Sequence, residues 1–303
     1  MPASNWDIAS FVLQGRPEPG EIIGAERKEK KTVKFINIEP YTRLDPWAQR
    51  DKTGRPIIQE LFDNMRRKGQ LNGVEVDIDS GTTKGTRESR DEDILAHITI
   101  GVLEKIREYS AMGRYDAIVC QGSIEPGFYA GREISKIPVA FALHSAVHVA
   151  SLIGDKFSVL EMTDPMAKIV RRHVEGYGFG QKLVSVRKVG RSSTEMGSIV
   201  NARKKQKRAS DPEVQKFLDQ ILAQCTAAIE KDGADTIILG CPPFQYLEDE
   251  IRQRLDAAGY DEIQLVCELA AAVEMAKAMV NMKLIQAPRA FPSDTLKVKP
   301  EFR

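Results

Sequence analysis

The chain has 303 residues, 42% of them hydrophobic, and its 44 Lys plus Arg against 43 Asp plus Glu leave a formal charge of +1. That length gives one large or two modest domains with ample apolar material for a core, and the charge balance supplies no field to recruit nucleic acid or an anionic membrane. No run of about 18 apolar residues occurs and Gly and Pro usage is ordinary, which excludes membrane-spanning, collagen-like and disordered classes.

The first 31 residues lack the basic-then-apolar order of a secretory signal, so a cytoplasmic location is expected; Pro17, Pro19 and several glycines make this segment an arm on the surface or on a neighbouring subunit. From Thr32 onward, short β-branched apolar runs alternate with longer segments of helical spacing, the pattern of βα units around a parallel sheet. Strands are predicted at 33–38, 73–78, 116–120, 139–142, 157–160, 183–186, 236–239 and 264–267, with amphipathic helices such as 92–109, 165–176, 212–231 and 270–282 between them. Asp164-Pro165 and Asp211-Pro212 each place a capping side chain ahead of a proline suited to a first helical turn. The basic run 203–208 reads as a solvated face, and the proline-containing tail 285–303 as a surface extension.

Asp116-Ala-Ile-Val-Cys-Gln-Gly122 and Asp235-Thr-Ile-Ile-Leu-Gly-Cys241 are the same strand-to-loop unit, 119 positions apart. The repeat predicts an α/β fold of two similar doubly wound parallel-sheet halves, 32–142 plus 265–284 and 143–264. Their strand ends would face one another across an active-site cleft. That cleft would present position 122 from one half and position 241 from the other.

Four cysteines without a CxxC pair argue against a disulfide framework or a zinc site. Cys241 follows a buried strand and precedes Pro242-Pro243, at a loop tip where a working thiol belongs; the alternative is a small buried hydrophobe. Cys120 and Cys225 read as core, and Cys267 as intermediate. Gly122, Ser123 and Ile124 form the matching loop, where backbone N–H groups and a hydroxyl would make an oxyanion or carboxylate pocket, or simply a tight turn. Glu125 reads as a helix cap that remains eligible as a base. His144, with Ser145 beside it, is a candidate pocket donor or proton carrier; His148 lies one turn on, but no third ligand supports a metal. Tyr41 and Thr42, at the end of the first strand, are candidate substrate contacts. No GxGxxG, P-loop or GxSxG motif is present, and no cofactor is expected.

The residues Asp116-Ala-Ile-Val, Glu125-Pro126-Gly127, the segment 138–148, Gly233-Ala-Asp-Thr-Ile-Ile-Leu-Gly-Cys241 and Leu269-Ala-Ala-Ala-Val-Glu-Met-Ala276 together resemble the aspartate/glutamate/hydantoin racemase superfamily, over roughly 33–284. The resemblance implies cofactor-independent enzymes with two similar α/β halves and one cysteine on each side of a substrate α-carbon. It maps the second cysteine onto Cys241 and the first onto position 122, which is glycine. Cys120 does not replace it, because two residues on an extended strand are about 6.6 Å. A lone cysteine opposite glycine resembles the arylmalonate decarboxylase branch, in which donors stabilise an enediolate and the cysteine protonates one face. Pro242 and Pro243 have no N–H groups, so recognition falls to the first-half loop, Tyr41-Thr42 and His144.

The expectation is a decarboxylase- or lyase-type enzyme that forms an enolate or enediolate from a small carboxylate- or carbonyl-containing substrate and protonates it from Cys241. The alternatives are a racemase or isomerase using His144 or Glu125 as second base, and a non-catalytic small-molecule binding protein. A homo-oligomer is expected by analogy, with no nucleic-acid or membrane partner.

Overall fold

Each half of the chain lays down four parallel strands in the same order. The computed structural model describes residues 32–40, 58–79, 92–191 and 210–292. Tyr41, Thr42 and the basic run 203–208 lie outside them. Strands β1 (Val33–Ile38), β2 (Val74–Asp79), β3 (Ala117–Cys120) and β4 (Val139–Phe141) form one sheet in the order β2-β1-β3-β4. Strands β5 (Phe157–Glu161), β6 (Leu183–Lys188), β7 (Thr236–Leu239) and β8 (Gln264–Cys267) form the other in the order β6-β5-β7-β8. The register repeats too: β1 pairs with β3 through Ile38 and Cys120, and β5 with β7 through Leu160 and Leu239.

The strands β3, β4 and β7 read as near-continuous apolar runs because both sheet faces are covered there, whereas the edge strands β2 and β6 carry charged residues. In β3, Ala117 and Val119 join one core cluster, while Ile118 and Cys120 join another on the opposite face. Around the sheets lie helices α1 (Gln59–Arg67), α2 (Glu92–Ala111), α3 (Phe128–Ile134), α4 (Ala142–Ile153), α5 (Asp164–Gly176), α6 (Pro212–Glu230), α7 (Pro242–Tyr246), α8 (Glu248–Ala257) and α9 (Glu268–Asn281). None of the described helices is long and apolar enough to cross a membrane.

Two helices change sides. α4 leaves β4 of the first sheet but packs on β7 and β8, whereas α9 leaves β8 of the second sheet and packs on β3 and β4. The two helices also pack on each other. Of the stretch 265–284 assigned from sequence to the first half, the helix lies there, while β8 pairs with β7. This exchange places the N-termini of α4 and α9 between the sheets.

The two Asp-Pro signals differ by one position. Asp211 caps α6, its Oδ1 accepting from the N–H groups of Glu213 (3.0 Å) and Val214 (3.2 Å). In α5 the cap is Thr163 and Asp164 is already the first helical residue, with its carboxylate on the Lys188 ammonium. The start of the tail is anchored and not merely superficial: buried Gln286 donates from Nε2 to Val139 O at 2.9 Å.

Candidate active site

The loops that follow β3 and β7 meet. Cys120 and Leu239 are the last residues of these equivalent strands, so Gly122 and Cys241, two residues beyond each, occupy matching positions. Their backbones differ. Gly122 has φ +96°, a conformation that a side-chain-bearing residue adopts only under strain, whereas Cys241 is extended at φ −114°. Cys241 is 2% exposed and opens the short helix α7. The two loops touch directly: Ser123 Oγ donates to Gly240 O at 2.5 Å.

Gly240 is required for this approach. A Cβ there would lie 2.5 Å from Leu160 O, 3.0 Å from Glu161 Oε1 and 3.2 Å from Ser123 Oγ. A methyl group would therefore displace backbone as well as two site side chains. Gly240→Ala is expected to cost about 1–3 kcal/mol of stability, measured by urea denaturation; wild-type stability would contradict the packing described.

Three glutamates with fully buried side chains converge here. Glu161 ends β5, and its Oε2 accepts from Met162 N at 3.1 Å. Glu268 is the first residue of α9. Glu125 follows the Gly122–Ile124 turn at φ +39°, a strained backbone for glutamate. Its Oε1 accepts from His144 N at 2.8 Å, in the first turn of α4, and its Oε2 from the Tyr177 hydroxyl. In the other half, Gln245 Oε1 accepts from Leu269 N of α9 at 3.3 Å, so an uncharged amide matches the carboxyl.

Burial dominates the acidity of all three. It pushes Glu161 up to about 7 and Glu125 up to about 8 against the pull of their hydrogen bonds, and Glu268 well above the ordinary range, with Glu161 and Glu125 adding repulsion. Ser123 lies close enough to Glu161 and Glu268 to moderate both. Its single proton, however, is directed at Gly240 O, so towards the carboxyls it presents lone pairs. A protonated carboxyl suits that environment and an ionised one does not.

The remaining sequence candidates have other surroundings. Ile124 is fully buried in the core cluster that also contains Cys241. Ser145 Oγ donates to Phe141 O at 2.7 Å, one turn back. The His144 ring packs among Phe128, His148 and Tyr177 with centroids 4.8, 4.3 and 4.9 Å away, and burial pushes its pKa down to about 3, leaving it neutral. Its contact with the cluster is through its main chain. The Ser123 hydroxyl, expected to face a ligand, is turned inward. Burial also pushes the Cys120 thiol up, and Cys225 up to about 12, as for inert core thiols. Among the described residues, no group of three His, Cys, Asp or Glu side chains could hold a metal ion.

Glu161, Glu268, Tyr177 and Gln245 were not found from sequence. The available signal was weak: a glutamate follows the inner strand of each half, Glu39 after Ile38 and Glu161 after Leu160, where apolar strand residues end.

Comparison with known proteins agrees with this architecture. A hydantoin racemase of Pseudomonas sp. (strain NS671) is 26% identical over 182 residues, covering 60% of this chain and 65% of the relative. A hydantoin racemase of Rhizobium meliloti is 29% identical over 181 residues, covering 60% and 66%. The chain thus spans just under two thirds of each relative's length. Among solved structures, an allantoin racemase from Pseudomonas fluorescens superposes with TM-score 0.68 at 20% identity over 88% of this chain and 99% of that one. One from Klebsiella pneumoniae gives 0.67 at 21% identity over 88% and 97%. These two likenesses establish the fold. The family model described as Asp/Glu/Hydantoin racemase matches residues 63–276, which include both loops of the site, and the chain therefore belongs to the Asp/Glu/hydantoin racemase family.

Proposed function

We propose that this protein is a cofactor-independent enzyme that generates an enolate or enediolate next to a carbonyl or carboxylate and protonates it on one face from Cys241. The observation that carries this reading is the asymmetry of two equivalent loops: a cysteine at 241, and at 122 a glycine whose φ of +96° disfavours any side chain. In the decarboxylase form, loss of CO2 leaves its bonding pair on the α-carbon, delocalised into the remaining carbonyl group. The Cys241 S–H proton then goes to that carbon and a thiolate remains. The Gly122–Ile124 turn would supply main-chain N–H groups to the developing oxyanion. The substrate is a small carbonyl- or carboxylate-containing molecule.

A second reading, racemisation or isomerisation of a hydantoin-like substrate with another base on the far face, is favoured by the names of the sequence relatives. Chirality separates the two. A prochiral α,α-disubstituted malonate should give one product enantiomer by chiral chromatography, and neither enantiomer of a 5-substituted hydantoin should lose optical rotation. Equal loss of rotation from both hydantoin enantiomers would establish the second reading.

A further inference from the structure

The turn that would receive the oxyanion ends on a strained residue. Gly122 adopts its φ of +96° freely, but Glu125 sits at φ +39° directly before Pro126, where a residue ordinarily takes extended backbone. Such a conformation persists only where its surroundings fix it, and here they do so through the side chain. Glu125 is 2% exposed, and each carboxyl oxygen has a partner from another element: Oε1 accepts from His144 N at 2.8 Å, in the first turn of α4, and Oε2 meets the hydroxyl of Tyr177, the residue that follows α5. One ring lies against both partners, since Phe128 is 4.5 Å from the Tyr177 ring and 4.8 Å from that of His144, centroid to centroid. Earlier in the turn, Ser123 Oγ donates to Gly240 O, the residue before Cys241. The segment 122–125 is therefore tied at both Ser123 and Glu125 to the half of the chain that carries Cys241.

We infer that Glu125 is a positioning residue: gripped by His144 N and the Tyr177 hydroxyl, it holds the main-chain N–H groups of the Gly122–Ile124 turn in a fixed relation to the loop of Cys241. The inference rests on the proposed function, in which those N–H groups receive the oxyanion. It requires no proton transfer through Glu125. Nor does the grip depend on charge, since the carboxylate accepts from both partners, whereas the neutral acid keeps Oε1 as an acceptor and donates from Oε2 to the Tyr177 oxygen. Glutamine reproduces the neutral form, with Oε1 towards His144 N and Nε2 towards the Tyr177 oxygen. Alanine keeps the strained backbone and removes the grip. The pair of substitutions thus separates positioning from service as a second base, because an amide cannot take up the substrate's proton.

With a substrate that the wild type turns over, Glu125→Ala should lower kcat by about 10–10² and leave KM within about threefold, because a misplaced oxyanion donor is felt mainly in the transition state. Glu125→Gln should restore most of that loss, and Tyr177→Phe, which keeps the ring packing, should show a smaller fall in kcat. A Glu125→Gln enzyme as slow as Glu125→Ala would overturn the inference, since it would assign the ionisable carboxyl itself to the chemistry. A readout independent of turnover is backbone amide hydrogen exchange followed by mass spectrometry. Peptides spanning 121–131 should exchange about tenfold faster in Glu125→Ala and Tyr177→Phe than in the wild type, while those spanning β7 keep the wild-type rate. Wild-type exchange over 121–131 in Tyr177→Phe, the variant whose packing is intact, would overturn the inference. Equal acceleration in β7 would overturn it too, by marking a general loss of stability in place of a local one. Acceleration confined to 121–131, with no candidate substrate turned over by the wild type, would instead count against the proposed function alone.

Discussion

Cys241→Ser should lower turnover by about 10²–10⁴ while substrate affinity stays within about threefold and the protein remains folded. The exchange of sulfur for oxygen is nearly isosteric in a site that is 2% exposed, so binding contacts survive. What is lost is acidity: a serine hydroxyl gives up its proton far less readily than a thiol, and the step that depends on that proton slows accordingly. Cys225→Ala provides the contrast. That thiol is fully buried on α6, and burial pushes its pKa to about 12. Removing it should cost about 1 kcal/mol of stability through lost packing and leave kcat unchanged. Wild-type turnover in Cys241→Ser would remove the thiol from the chemistry, whereas a wild type that binds candidate substrates and turns over none of them would favour a binding protein that has kept the cleft and lost its reaction.

The second large effect is on stability. Below about pH 4.5 the carboxyls of Glu161 and Glu125 carry protons in folded and unfolded chains alike. As pH rises, the unfolded chain releases them near that value, whereas the folded protein keeps them until about 7 at Glu161 and about 8 at Glu125. The folded state then binds more protons, so stability falls with rising pH, by on the order of 1.4 kcal/mol for each pH unit over which one such carboxyl retains its proton. Glu268 acts in the same direction. Two half-buried histidines act oppositely at lower pH: His144 and His173, pushed down to about 3 and 4, are charged in the unfolded chain below about 6.5 and neutral in the folded one. Their contribution is complete by about pH 6.5. Between pH 6.5 and 8 the glutamates act without that opposition, and urea denaturation should show stability declining across this window. Glu268→Gln should be more stable than wild type at pH 8 and show a shallower decline. A stability that is flat or rising over this window in the wild type would contradict the protonated cluster.

Much of the scaffold was legible in the sequence for a simple reason. A parallel strand covered on both faces is a short, nearly uninterrupted apolar run, as in Thr236–Leu239, and β3, β4 and β7 carry that mark, while the edge strands β2 and β6 mix apolar with charged residues. The internal repeat was equally legible, and with it the equivalence of Gly122 and Cys241. The site was only half legible. Cys241 and the Gly122 turn are read from strand ends, but Glu161 and Glu268 are 107 residues apart and come together as the residues that follow Leu160 and Cys267, which lie in register on either side of β7 in one sheet. No spacing rule encodes that strand order. The direction of a hydroxyl is similarly hidden: Ser123 is a donor in either environment, and only its approach to Gly240 O shows that its proton is directed inward. The Asp164 signal failed by one residue because Pro165 is accepted at the second helical position as readily as Pro212 is at the first.

The most direct test of one-sided proton delivery is turnover in deuterium oxide with the stereochemistry of the label resolved. A prochiral malonate substrate should give product deuterated at the α-carbon in a single configuration, and neither enantiomer of that product should exchange its α-hydrogen in both senses when returned to the enzyme. Deuterium entering from both faces, with inversion of each enantiomer, would show a second proton carrier opposite Cys241 and contradict the account.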